Sequence, residues 1–367
     1  MTYPNTELIA AVTDMIDRIG IDTTTPAAAP DRAVWDALAE AGFTEIGIPE
    51  SQGGSGGTSA DALSVVHAAA ERGAITLLIE HTLLASPLLA QCTGTAAAGP
   101  STVMIADDRC GTSEVDGATV LDGIITGVVH GRDAAQVVVL LEPPPTPGAP
   151  PQIAIVAADA PGVDVQPGTD LLGAALDDYR FDATPVEFHA ESPVDATELE
   201  QRGALSYTVA LAAAAGSVRE ATLRYAGERT QFGRPLAKFQ AIQQRLAGLA
   251  ARAALMQTAA TAATEACEAG PHLRRAAIAA AKAVTSASAR EVAAAGHQIH
   301  GAIGFTSEHN LGRFTTALWA WRDRYGSEEY WSDVLAGQIL DEGTDLWDVV
   351  VGAESACEPT VAEGNSR

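Results

Sequence analysis

Residues 224–240 read RYAGERTQFGRPLAKFQ, a basic and aromatic turn between two long alanine-rich runs. Upstream, ELEQRGALSYTVALAAAAGSVREATLRYAGERTQ carries small and apolar residues on many faces and stops at Gly233-Arg234-Pro235. Downstream, LAKFQAIQQRLAGLAARAALMQTAATAATEACEAG repeats that composition and stops at Gly270-Pro271. Glycine and proline at those points end helices, so the stretch is a helix-to-helix corner. Arg229, Phe232, Arg234, Phe239 and Gln240 cluster there. An arginine fork donates two charge-assisted hydrogen bonds to a phosphate, so the corner reads as an anion site. A solvated basic end lying on the negative pole of a helix accounts for the same residues equally well.

Working outward, HLRRAAIAAAKAVTSASAREVAAAG and a final helical pair flank RDRYGSEEYW, residues 322–331. Long helices with alanine on many faces pack closely, which predicts a four-helix bundle over residues 195–352, with 353–367 a disordered tail. From 99 to 194 the grammar changes to short β-rich runs: TVMIA, GVV, QVVVLL, QIAIVAA, VDVQP and PVEFHA. Turn residues separate them, and the proline-rich EPPPTPGAPPQ reads as a hairpin excursion. That predicts a small antiparallel β domain. Residues 1–98 read as helical: Leu8, Val12, Met15, Ile16 and Ile19 share one helical face, and DRAVWDALAEAG begins after Pro30 with Asp31 near its start. Further helices are expected at 59–71 and 76–91. The fold class is α+β.

The chain of 367 residues has a formal charge of -25, which argues against nucleic acid and anionic membrane as partners. Cys92, Cys110, Cys267 and Cys357 are scattered, indicating neither a disulfide framework nor a zinc site. The first twenty residues lack a signal peptide's basic start and apolar run, and no uncharged apolar span reaches membrane length. A cytoplasmic location is the expectation.

Two local patterns are set aside. Gly53-Gly-Ser-Gly-Gly57 matches the hydrolase elbow, but that motif needs a strand before it and a helix after it, so Ser55 reads as a loop serine. His297, His300 and His309 fall near one another in an apolar, glycine-rich segment that suits a close backbone contact better than a metal cage.

RYAGERTQFGRPLAKFQ, followed by QIHGAIGFTSEHNLGRF at 298–314, closely resembles the two C-terminal signature segments of the acyl-CoA dehydrogenase family. IGIPESQGGSGG resembles that family's early turn, and the order of helices, β domain and long helices agrees, so the resemblance covers nearly the whole chain. It implies a flavoprotein fold in which a carboxylate takes the α-proton of an acyl-CoA thioester while a hydride leaves Cβ for FAD. Groups of a neighbouring subunit hold the ADP half of the flavin, and electron-transfer flavoprotein is the implied acceptor.

On that resemblance, Arg229, Phe232, Gln240 and Gln298, with Gly301 and Gly304, are the cofactor-binding residues facing a neighbour's FAD; Ala302 replaces the middle glycine of the motif. The other half departs from the family pattern. Its T-E-P-x-A-G-S-D loop is replaced by the shorter MIADDRCGTSEVDGATV, and the strand that lies on the flavin ring aligns with Gly127-Val-Val-His130, without its aromatic ring or threonine. In most members the last loop carries the base before a glycine; here that position is Tyr325, followed by Gly326-Ser327. Some members place the base on the first bundle helix, which aligns with Gly203. Ser327, Glu328 and Glu329 read as an N-cap and first turn. The resemblance therefore implies no catalytic residue of this chain's own and a homologous catalytic partner subunit. The family includes mixed tetramers of this kind, with fewer flavins than subunits, in bacterial sterol side-chain degradation. Two alternatives stay open: a self-sufficient homo-oligomeric enzyme using Glu200, one turn before Gly203, as displaced base, and a non-enzymatic scaffold.

Overall fold

The computed structural model describes residues 3–21, 30–143, 148–307, 309–343 and 345–347. Helices α1 (Thr6–Ile19), α2 (Arg32–Glu40) and α3 (Ser59–Glu71) open the chain, followed by a π-helical turn (Ile79–Ala85) that runs into α4 (Ser86–Thr93). α3 starts in a capping box, Thr58 and Asp61 each satisfying the other's backbone N–H. Asp31 precedes α2 as expected but makes no side-chain cap bond. Its carboxylate instead accepts from the Ile75 N–H at 2.7 Å and pairs with Arg313, joining the first helices to the end of the chain.

The middle segment is two four-stranded sheets, β1 (Ser101–Ala106), β4 (Gln136–Leu141), β5 (Gln152–Ala157) and β8 (Phe188–Glu191) in one, β2 (Cys110–Val115), β3 (Ala118–Val129), β7 (Leu176–Pro185) and β6 (Val163–Gln166) in the other. The expectation of an antiparallel domain needs one correction: β1 and β4 are parallel. The chain leaves the first sheet after β1, forms β2 and β3 in the second, and returns by a crossover, and a crossover delivers a parallel neighbour. The uninterrupted apolar run of β4 follows from its position. Val137, Val139 and Leu141 face the second sheet, while Val138 and Leu140 face the helices, so both sides are dry. β4 and β5 pair antiparallel across the proline-rich segment, of which residues 144–147 lie outside the described residues.

The last segment packs α5 (Ala196–Glu228), α6 (Gln240–Glu265) and α7 (Pro271–His300) side by side, with the shorter α8 (Leu311–Trp321) and α9 (Glu328–Leu340) against them in place of a single fourth helix. The expected tail at 353–367 lies outside the described residues. No helix among the described residues is long and apolar enough to cross a membrane.

Candidate functional site

The loop between α8 and α9 is held from below by a buried lysine. Lys282 Nζ donates to the Arg322 carbonyl at 2.6 Å and to Ser286 Oγ at 3.0 Å, and Ser286 Oγ donates to the same carbonyl. Both satisfy the open C-terminus of α8. Burial pushes the ammonium down to about 7, only partly countered by Asp323. Between that value and the ordinary 10.5 the unfolded chain binds more protons, so this group makes stability rise with pH and lowers it as pH falls towards 7. Urea unfolding at about pH 7.5 and about pH 9 should show a rise of up to about 1.4 kcal/mol per pH unit that Lys282→Met lacks.

Above that anchor, Tyr325 takes a left-handed φ of 49° and its carbonyl accepts from Trp331 Nε1 at 2.7 Å. Its ring stacks on Tyr207, centroids 5.9 Å apart, and lies flat on Gly203, where an added Cβ would come within 2.3 Å of the tyrosine Cγ. The two positions aligned with the family's alternative bases are therefore neighbours in space, and an aromatic ring fills the gap between them. Burial, then the Glu80 charge, pushes the Tyr325 hydroxyl well above the ordinary tyrosine range. Tyr207 donates to Glu80 at 2.6 Å, and Arg324 donates to Asp170 at 3.0 Å. Ser327 caps α9 by accepting from the Tyr330 N–H, with Glu328 and Glu329 in the first turn, as read from the sequence.

Val129 and His130, at the end of the strand aligned with the flavin platform, line a cavity with Glu80, Tyr207 and Arg324. Its volume is about 30 Å³, room for a water molecule and not for a fused aromatic ring. His130 is buried, with φ 55°, and its Nδ1 contacts Asp133 at 3.1 Å. Three residues separate β1 from β2, so no long loop is available to wrap a cofactor.

The opposite end of the bundle differs. Thr230–Gln231 and Arg234–Pro235 form a two-stranded ribbon, and Phe232 (φ 49°) and Gly233 (φ 78°) are its tip. A two-residue turn with both φ positive ordinarily takes asparagine and glycine there. Phe232 accepts that strain with its ring 91% exposed, edge-on to Phe239, over which Arg234 stacks at 4.2 Å. A bulky apolar group held in a strained, solvent-facing position suits contact with another molecule.

Arg229 caps α5 and Gln240 begins α6, both exposed. Gln298 is exposed near the end of α7, on a shallow groove of about 520 Å³ with Gly301 and Phe305. Ile299, Leu246 and Ala226 form a small core, with Leu236 and Ile242 against it, that fixes the two signature segments side by side. The side chains of Arg229, Gln240 and Gln298 make no hydrogen bond to any described residue. That donor set suits a diphosphate or nucleotide edge. Gly301 has φ 64°, open to glycine, whereas Ala302 does not share the left-handed conformation, so its methyl costs nothing there. Gly304 is brought inward, against His300 and Leu311, and serves the packing of the turn.

Ser55 sits in a loop and donates to the Gly42 carbonyl. His300 and His309 meet edge to face at 4.6 Å, and His297 stacks on Phe305. Glu200, the displaced-base candidate, accepts from the Tyr330 hydroxyl at 2.8 Å. Sequence reading missed Glu80, Tyr207, Arg324 and Lys282. The lone acid in TLLIEHTLL was a signal for the first of them, since an unpaired carboxylate does not sit in such a run.

The model of the acyl-CoA dehydrogenase N-terminal domain matches residues 11–97, and that of the C-terminal domain matches 197–345. The chain is 31% identical over 288 residues to acyl-CoA dehydrogenase IpdE2 of Mycobacterium tuberculosis, covering 77% of this chain and 78% of that one. Among solved structures it is similar to a chain of the ChsE4-ChsE5 complex from Mycobacterium tuberculosis, with TM-score 0.83, 22% identity and coverage of 93% and 98%. It is also similar to butyryl-CoA dehydrogenase from Megasphaera elsdenii, with TM-score 0.82, 19% identity and coverage of 93% and 99%.

Proposed function

The chain belongs to the acyl-CoA dehydrogenase family, and from that premise we propose that it is a subunit with neither a catalytic base nor a flavin-ring cradle of its own. It completes the FAD site of a homologous catalytic subunit, for α,β-dehydrogenation of an acyl-CoA thioester. The observation that carries this reading is the contact between Tyr325 and Gly203, which closes both aligned base positions with a ring that does not ionise near neutral pH.

The flavin, bound mainly by the partner, supplies the hydride acceptor. This chain's own residues bind and orient. Arg229 would place a fixed positive charge and a planar fork against the diphosphate, Phe232 would provide an apolar face, and the amides of Gln240 and Gln298 would donate to nucleotide oxygens. Likeness to a chain of a two-component complex supports a mixed assembly, and the IpdE2 relative supports an acyl-CoA substrate. Electron-transfer flavoprotein is the proposed acceptor.

Glu200 supports a second reading, because it lies one turn from Gly203 along α5. Its carboxylate already serves the Tyr330 hydroxyl, which burial and then Glu200 itself push up to about 12. The visible spectrum separates the readings. The chain purified alone should be colourless, and with its catalytic homologue it should carry about one FAD per two chains. The complex carrying Glu200→Gln should keep its kcat. One FAD per chain in the isolated protein, with activity abolished by that substitution, would establish the second reading instead.

A further inference from the structure

A second cavity lies between α3, the π-helical turn, α5 and the start of α7. It opens on the other side of α5 from Tyr325: Gln201 and Leu205 line it, each two residues from Gly203 or Tyr207, and two residues turn a helix by about 200°. Its volume, about 310 Å³, is ten times that of the cavity at His130 and of the size that holds small molecules.

The lining is not that of an unused void. Thr82, 1% exposed, lines it from the π-helical turn, an element that recurs at functional sites, and its buried hydroxyl has no partner. Gln201, 8% exposed, has an amide with no hydrogen bond to any described residue. Buried polar groups are ordinarily satisfied, so the Thr82 hydroxyl beside this cavity calls for a polar occupant, and the uncommitted Gln201 amide is free to serve the same one. Leu63, Leu205 and Ile278 supply apolar wall. The two arginines on the lining differ: Arg202 is paired with Glu198 at 2.7 Å, while Arg274 has no ion-pair partner among the described residues.

We propose that this cavity binds an aliphatic carboxylate carrying a second polar function, a hydroxy or oxo acid. Its carboxylate pairs with Arg274, its hydrocarbon lies on the leucines, and its other oxygen meets Thr82 and Gln201. The site is separate from the flavin-facing rim and needs no flavin.

Calorimetric titration of the full-length chain with 10-hydroxydecanoate tests it, with decanoate and 1,10-decanediol as comparisons. Saturable binding is expected, at least tenfold weaker for the diol and for Arg274→Gln, and Thr82→Val should erase the preference for hydroxydecanoate over decanoate. Cys267 lines the same cavity, so the ligand should slow its maleimide labelling, read at that peptide by mass spectrometry in the unmodified chain. Leu205→Trp fills the space and should abolish the heat. No saturable binding, binding unchanged by Arg274→Gln, or undiminished labelling of Cys267 at saturating ligand overturns the proposal.

Discussion

If this chain completes a partner's FAD site as proposed, Arg229→Glu should empty that complex of its flavin while leaving both subunits folded and assembled. The side chain is exposed and bound to no described residue, so its loss costs the fold nothing that can be seen. Against a diphosphate the same change removes a charge-assisted hydrogen bond and sets a carboxylate beside like charge. Together these weigh about 3 kcal/mol, a hundredfold or more in affinity. The measurement is the flavin-to-chain ratio after gel filtration, with the free-flavin dissociation constant by fluorescence. Phe232→Ala should act in the same direction and more weakly, because it removes contact area without adding repulsion. A complex that keeps its full flavin content with Arg229→Glu would show that this rim does not face a nucleotide.

Tyr325→Glu tests the other half. It puts a carboxylate where most family members carry one, yet it should yield no dehydrogenation by this chain alone. The substitution removes a stacked ring from Tyr207 and Gly203 and sets a second acid close to Glu80. Lost packing and a second buried carboxylate beside Glu80, with Arg324 already committed to Asp170, should destabilise the fold by about 3–5 kcal/mol, measurable by urea unfolding. The space beside His130 still has no room for a flavin ring. Turnover of an acyl-CoA by the purified variant, at unchanged stability, would mean that the base alone was missing.

The helices and the recognition corner were legible because their signals are local. Glycine and proline mark the ends of the long helices, and the period of α1 needs no tertiary knowledge. The parallel pairing of β1 with β4 was not legible, since nothing in STVMIA or QVVVLL specifies the direction of a partner. β2 and β7 were overlooked for a different reason. CGTSEV lies on an exposed edge with little apolar content, and in LDDYRFDATP the aspartates mask the alternation that buries Asp177, Tyr179 and Phe181. For the site, alignment of two motifs indicated which positions to compare. Only geometry showed Tyr325 resting on Gly203, because the two stand 122 positions apart in the chain.

The hydrogen bond from Tyr207 to Glu80 makes the residues around it interdependent. With Tyr325 stacked above it and Gly203 beneath that ring, each of these four residues is now the packing partner of another. A single substitution among them opens a void, strands a carboxylate or drives two groups together, so an acid can enter this space only if several of the four positions change in concert.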